Sequence, residues 1–112
     1  MRAINGDRML HWQFVQRGFW ANGASNLSLF LKELRTWKFD AATVAQIRCP
    51  TLVAAAEGDR ASTNARELYD ALTCRKAFVE FTAADGADQH CAQLNPSLAN
   101  RVIHDWLEDM LQ

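Results

Sequence analysis

Hydrophobic and polar positions divide the chain into an aromatic-rich helical part and a part in which strand and helix patterns alternate. Apolar residues on much of the helical circumference predict a helix over Met9–Trp20. After the turn-forming residues Asn22–Asn26, apolar positions at i, i+3, i+4 and i+7 predict a second helix from Leu27. We therefore expect a helical segment over residues 1–39 and an α/β segment over residues 40–112.

A capping residue, a proline and an apolar run define the start of the second part. Asp40 predicts the N-cap of a short helix through Ile47, because its carboxylate can accept hydrogen bonds from the free amide groups of a first turn. Pro50, which has no backbone N–H, is then expected to end that helix. The continuous apolar run Thr51–Ala56 predicts a strand that is covered on both faces, as in a parallel sheet.

The remaining patterns predict a helix, a second strand and a final helix. Ser62–Leu72 is predicted to be an amphipathic helix, with Asn64 and Glu67 as a capping box. Ala77–Thr82 predicts a strand, and Asn95-Pro96 predicts the start of a last helix whose wide apolar face would lie on the sheet. Since two parallel strands need a crossover of about a dozen residues, this order predicts a β-α-β unit and the α/β class.

Composition and charge limit the classes of partner and location. The 112 residues are 49% hydrophobic with a net charge of −1, so no basic surface argues for nucleic acid or anionic lipid as a partner. No apolar run approaches the roughly 20 residues of a membrane span, and no signal-peptide core is present. Three cysteines without regular spacing predict neither a disulfide framework nor a zinc site, which favours a reducing, cytoplasmic setting. No cofactor or metal is expected, and Asp85 and Asp88 are interpreted as turn residues.

Two polar side chains follow the two predicted strands. Asp59 comes directly after the first strand, and His90 lies in the loop after the second. Ligands bind beyond the carboxyl ends of parallel strands, so both loops are expected to open on one edge of the sheet. A carboxylate held against one imidazole nitrogen fixes the tautomer and leaves the other nitrogen free as a general base.

Less specific interpretations of these residues remain open. Asp59 is equally placed to cap a turn, and Glu57 is a second candidate for the acid. A loop histidine such as His90 is often a surface residue, and His104 is expected on the solvated side of the last helix. Adjacent side chains usually diverge, so Cys91 is interpreted as a buried structural cysteine rather than as a nucleophile.

The order of motifs also resembles a known family. An Asp after "CPTLVAAAEGD", the helix "ARELYDAL", the strand "AFVEFT" and the histidine loop "GADQHC" resemble the C-terminal part of an α/β-hydrolase. More narrowly, they are similar to serine hydrolases described as dipeptidyl aminopeptidase or acylaminoacyl-peptidase-like, with pseudo-oxynicotine-type C–C hydrolases nearby. The upstream segment "WQFVQRGFWANGASNLSLFLKEL" resembles the helical cap that roofs the substrate cavity in that group.

The resemblance implies a partial α/β-hydrolase fold and a division of roles. Asp59 would be the catalytic acid and His90 the catalytic base of a Ser-Asp-His triad. Trp12, Phe19 and Trp20 would face a small-molecule or peptide-like substrate, with packing inside a helical core as the alternative. The sequence has no G-x-S-x-G motif, because "GASNL" at Gly23 lacks the second glycine.

The nucleophile is therefore expected on a separate N-terminal half, and the isolated chain is expected to be inactive. Exposed surface left by the missing half would favour association with that half or self-association. The alternative function is a non-catalytic interaction or assembly module derived from a hydrolase.

Overall fold

A computed structural model of the protein describes residues 2–112. The chain divides into two compact units, Met1–Lys38 and Phe39–Gln112. The described residues contain six α-helices and a two-stranded parallel sheet, so the protein is a small mixed α/β protein. Both strands lie in the second unit, whereas the described part of the first unit is helical.

Helical segments make up the first unit. They are α1 (Arg2–Gly6), α2 (Arg8–Leu10), a π-helical segment (His11–Phe19) and α3 (Leu27–Leu34). The predicted helix over Met9–Trp20 is confirmed as helical, but most of it is wound as a π-helix. The apolar pattern does not distinguish that winding from an α-helix. Asn26 caps α3 by accepting a 3.1 Å hydrogen bond from the N–H of Leu29.

The core of the first unit is built around Phe30, which is 6% exposed. Phe14 and Phe19 pack edge to face against its ring, with centroid distances of 6.2 and 5.8 Å. Gly18 is buried against the same ring, and a Cβ at this position would lie 3.0 Å from the Phe30 Cζ. A side chain at position 18 would therefore push the phenylalanine out of this packing.

The second unit contains the predicted β-α-β arrangement. Its elements are α4 (Ala41–Val44), β1 (Thr51–Ala56), α5 (Ala65–Ala71), β2 (Lys76–Phe81) and α6 (Pro96–Leu111). The bounds predicted for β1 are confirmed, and β2 begins and ends one residue earlier than expected. The strands pair in parallel from Thr51 opposite Lys76 to Ala56 opposite Phe81, which confirms the parallel unit.

Alternating side chains of the strands pack against different helices. On one face Val53, with Phe78 beside it, contacts Val44 of α4 and Leu72 at the end of α5. On the other face Ala56 and Phe81 form a cluster with three buried alanines, Ala87, Ala92 and Ala99. The alternation follows from the two-residue period of a strand. The expectation of cover on both faces holds only in part, because Ala54 is exposed.

Two predicted helices are shorter than the sequence pattern indicated. Asp40 caps α4 as predicted, accepting a 2.7 Å bond from the N–H of Thr43, but the helix ends at Val44, well before Pro50. The N–H of Ile47 bonds to the carbonyl of Val44, so the chain tightens into an i→i+3 turn there. Helix α5 begins only at Ala65.

The predicted capping box at the start of α5 is wrong. Asn64 occupies the N-cap position, but its side chain makes no capping hydrogen bond. Arg60–Ser62 instead forms a separate 3₁₀ turn. The Ser62 hydroxyl lies 3.1 Å from the carbonyl oxygen of Ala56 and 2.9 Å from that of Asp59, which ties the turn to the end of β1.

Only the first part of helix α6 packs on the sheet, and the helix extends beyond it. Asn95 caps it through the N–H of Leu98, and Pro96 is its first residue, as predicted. Ala99, Leu98 and Val102 pack on the sheet cluster, whereas three later apolar residues are exposed, Ile103, Leu107 and Leu111. A pair of strands about 5 Å apart is too narrow to cover a long helix face. None of the helices within residues 2–112 is long and apolar enough to cross a membrane.

Candidate functional site

The candidate site lies where the two strands end, and backbone contacts join their loops. The N–H of Gly58, after β1, donates a 2.8 Å hydrogen bond to the carbonyl of Asp88, after β2. The Glu57 carboxylate accepts a 3.0 Å bond from the N–H of Ala83. These two hydrogen bonds thus hold the loops against each other without any contribution from Asp59 or His90.

Gly58 permits this approach because it lacks a side chain. A Cβ at this position would lie 3.0 Å from the carbonyl oxygen of Asp88 and 3.0 Å from the Gln89 Nε2. Gly58 does not have a positive φ, unlike Gly23 and Gly86. Gly58 lies in a turn that is closed by a 3.0 Å hydrogen bond from the N–H of Asp59 to the carbonyl of Ala56, and its missing side chain also allows the two loops to come into close contact.

The side chains of Asp59 and His90 meet across the two loops. The Asp59 Oδ2 lies 2.9 Å from the His90 Nδ1, and its Oδ1 accepts a 2.9 Å bond from the N–H of Ala61. The carboxylate therefore also caps the 3₁₀ turn, so both interpretations of Asp59 describe contacts that it makes. The Asp59 side chain is 11% exposed and that of His90 is 63% exposed.

Hydrogen bonds hold the Asp59 carboxyl in its charged form. Its pKa lies below the ordinary value of 3.8, chiefly because the N–H of Ala61 donates to it, with smaller contributions from the His90 imidazole and the N–H of Cys91. Burial acts in the opposite direction. An ionised carboxylate accepts only, so the His90 Nδ1 must carry the proton. The Nε2 is then the unprotonated, basic nitrogen.

The structure contradicts the interpretation of Cys91 as a buried residue. Its thiol is exposed, and the Sγ lies 3.4 Å from the His90 Nε2. The backbone of Cys91 has φ 55° and ψ 27°, in the left-handed region, which turns its side chain back towards the preceding imidazole. Adjacent side chains diverge in extended or helical backbone, but not here. No local sequence pattern indicated this conformation, because glycine or asparagine is usual at such a position.

A cavity opens beside Asp59. It has a volume of about 210 Å³ and lies between the sheet and the start of α5. The Arg66 guanidinium sits 3.7 Å over the Phe78 ring at one wall, and the Glu80 carboxylate is on the neighbouring strand. Its lining is mainly polar and small, with Ala55, Ala56, Glu57, Asp59, Ser62, Thr63, Ala65, Arg66, Phe78 and Glu80. Sequence analysis did not single out Arg66 or Glu80.

The other candidate residues have different environments. Glu57 bonds to the Ala83 backbone rather than to His90, which favours Asp59 as the carboxylate partner. Trp12 is 45% exposed and Trp20 is 85% exposed, while Phe19 packs on Phe30 within the first unit. His104 is exposed on α6, as predicted. No group of three or more metal-ligating side chains occurs within residues 2–112.

Comparisons of the chain with known protein families, curated proteins and solved structures found no match. The geometry of the strand ends is therefore the basis for any functional conclusion.

Proposed function

We propose that the chain is the C-terminal portion of an α/β-fold serine hydrolase that supplies the acid and base of a Ser-Asp-His triad. One observation carries the proposal, which is the 2.9 Å contact between the Asp59 carboxylate and the His90 Nδ1 at the carboxyl edge of a parallel sheet. The order of motifs along the chain adds the resemblance to esterases and peptidases of this fold.

In this mechanism His90 acts as the proton carrier. Its Nε2 takes the proton of a serine hydroxyl while the serine oxygen attacks the carbonyl carbon of an ester or peptide-like substrate. The same nitrogen then gives the proton to the leaving group. Asp59 keeps the Nδ1–H tautomer and stabilises the imidazolium that forms between these steps.

The serine must come from residues outside these 112. His90 is 63% exposed, so its Nε2 side is accessible to another polypeptide segment. The Cys91 Sγ lies 3.4 Å from the His90 Nε2, so the thiol has to rotate away before a serine hydroxyl can approach that nitrogen. Both strands also have an unpaired edge, where the remaining strands of a larger sheet would add.

The test is co-expression with the polypeptide encoded directly upstream, followed by assays of ester hydrolysis and fluorophosphonate labelling. We expect labelling of a serine on the upstream polypeptide and turnover of an activated ester. His90→Ala should lower kcat on the order of 10⁶-fold, and Asp59→Asn about 10⁴-fold, as in serine proteases. His104→Ala is the matched control and should leave kcat unchanged.

Two outcomes would contradict the proposal. An upstream region that encodes no strand followed by G-x-S-x-G would remove the expected nucleophile. A complex that forms and turns over ester at the same rate with His90→Ala would show that the histidine is not the base.

A second candidate function is an assembly module, and the distribution of exposed apolar side chains favours it. Trp20 and Leu111 are each 85% exposed, and Phe39 is 80% exposed. Such side chains are often covered by a partner surface. Sedimentation equilibrium should then show a stable oligomer, weakened by Leu111→Ser, with no hydrolysis under either expression condition. A monomer at all concentrations would argue against self-assembly.

A further inference from the structure

We propose that Cys91 is a nucleophilic thiol served by His90, and that it exchanges with low-molecular-weight disulfides to form a mixed disulfide. The geometry is a relay of three groups. The Asp59 Oδ2 lies 2.9 Å from the His90 Nδ1, and the His90 Nε2 lies 3.4 Å from the Cys91 Sγ. With the Nδ1 protonated, the Nε2 is the acceptor and the thiol S–H is the donor.

This environment distinguishes Cys91 from the other two cysteines. Cys74 is only partly exposed, and its thiol lies 3.6 Å from the Thr51 hydroxyl. Cys49 is exposed, but no histidine contacts its thiol in the described part of the chain. The thiolate is the reactive form of cysteine, and a neighbouring imidazole that takes the proton raises its population. Cys91 alone among the three combines exposure with such a base.

The backbone holds the thiol against the imidazole. Cys91 and Ala92 both have positive φ, 55° and 52°, a conformation that costs free energy for residues other than glycine. The Ala92 side chain is 2% exposed in the cluster formed with Ala56 and Phe81, so core packing maintains the turn. The N–H of Ala92 also donates a 2.8 Å bond to the carbonyl of Gln89. The Cys91–His90 contact is therefore preorganised.

The exchange needs only these groups and the disulfide. The Cys91 proton passes to the His90 Nε2, and the thiolate attacks one sulfur of the disulfide. A new S–S bond forms, the original S–S bond breaks, and the leaving thiolate takes a proton from the imidazolium. The cysteine is oxidised and the disulfide is reduced. The charge stays on sulfur throughout, so an exposed loop can carry out this step without donors for an oxyanion.

Modification at Cys91 has a consequence for His90, and this consequence rests on the proposed function. A mixed disulfide removes the S–H donor and places the added thiol group beside the Nε2, the nitrogen proposed to accept the serine proton. Exchange at Cys91 would therefore block the base reversibly. The thiol reactivity itself is measurable without any hydrolase activity.

The test is the rate of mixed-disulfide formation at each cysteine of the full chain. The protein is treated with oxidised glutathione, quenched at intervals with acid, and analysed by peptide mass spectrometry. In the folded protein we expect Cys91 to react at least about threefold faster than Cys49. In urea we expect the two cysteines to react at similar rates.

Two variants separate the imidazole from simple exposure. His90→Gln should reduce the rate at Cys91 to that of Cys49, and Asp59→Asn should reduce it nearly as far, because it moves the imidazole proton to the Nε2 that faces the thiol. His104→Gln should change neither rate. Equal rates at Cys91 and Cys49 in folded wild-type protein would overturn the proposal, and so would a Cys91 rate that is unaffected in folded His90→Gln. If His90→Gln does not fold, the wild-type protein alone tests the proposal. The rate at Cys91 relative to Cys49 must then be higher in the folded protein than in urea. Loss of hydrolase activity in any complex would not affect this result.

Discussion

The contact between the two loops provides a sharp test of the site, and Gly58→Ala is the perturbation. The added methyl group would lie 3.0 Å from the carbonyl oxygen of Asp88, 3.0 Å from the Gln89 Nε2 and 3.2 Å from the Asp88 Oδ2. Ordinary contacts begin near 3.4 Å, so these atoms must move by a few tenths of an ångström. The Gln89 side chain can rotate away. The Asp88 carbonyl cannot move without lengthening its 2.8 Å hydrogen bond to the N–H of Gly58.

The expected loss of stability is about 1 kcal/mol. Inserting a methyl group into tight packing costs about 1–3 kcal/mol. The φ of Gly58 is outside the left-handed region, so alanine also restricts the unfolded chain and offsets about 0.4–1 kcal/mol of that cost. The His90 imidazole should also shift relative to Asp59, because the displaced segment leads directly into the histidine.

Urea unfolding followed by circular dichroism measures the first effect, and the imidazole NMR signals of His90 measure the second. Gly86→Ala is the matched control, since φ at Gly86 is +63° and no atom lies within 4 Å of its added Cβ. It should cost about 1–2 kcal/mol through backbone strain but leave the His90 signals in place. A Gly58→Ala protein with wild-type stability and unchanged His90 signals would refute the loop contact.

Three further predictions concern protonation and helix ends. Asp59→Asn should convert His90 to the Nε2–H tautomer, because an amide nitrogen donates where the carboxylate accepted. Proton-nitrogen correlation spectra would detect this, and a retained Nδ1–H signal would contradict it. Lys76→Met should lower the free energy of unfolding by about 1–2 kcal/mol, since the Lys76 Nζ donates 2.7 Å bonds to the carbonyls of Tyr69 and Leu72, with exposed Lys38→Met as a control in urea unfolding. Three aspartates have pKa values below the ordinary 3.8, and they are Asp40, Asp59 and Asp85. Their contribution to the free energy of unfolding should be fully present above pH 3.8 and should be lost as the pH drops through the lowered pKa values. A urea midpoint that stays constant between pH 4 and 2 would contradict this last expectation.

Much of the second unit could be predicted because its signals are local. The apolar run Thr51–Ala56 coincides with β1, and Asp40 and Asn95 cap the helices that they precede. Caps and hydrophobic periods depend on residues within one or two turns, so one sequence is sufficient to identify them. The parallel pairing followed from the length of the crossover, and this topology accounts for Asp59 and His90 ending on the same edge.

The features that escaped prediction depend on contacts between distant segments. Ser62 lies within the predicted helix, but its hydroxyl bonds to the carbonyl of Ala56, six residues earlier at the end of β1, a contact outside the range of helical periodicity. Cys91 adopts left-handed backbone because Ala92 is packed among residues of the sheet and of α6. The role of Gly58 becomes clear only when the opposite loop is in place. Propensity and spacing contain none of this information.

The predicted topology and the unpredicted tertiary contacts together explain the geometry of the site. Topology alone brings a carboxylate and an imidazole to the same edge of the sheet, but topology does not set their separation to 2.9 Å. The Gly58–Asp88 hydrogen bond brings the loops together, and the Ala61 N–H orients the carboxylate. The buried Ala92 fixes the turn that follows the histidine. The site is therefore precise only as long as contacts outside the Asp59–His90 pair are intact. Substitutions at Gly58 should accordingly disturb His90 without changing either group's chemistry.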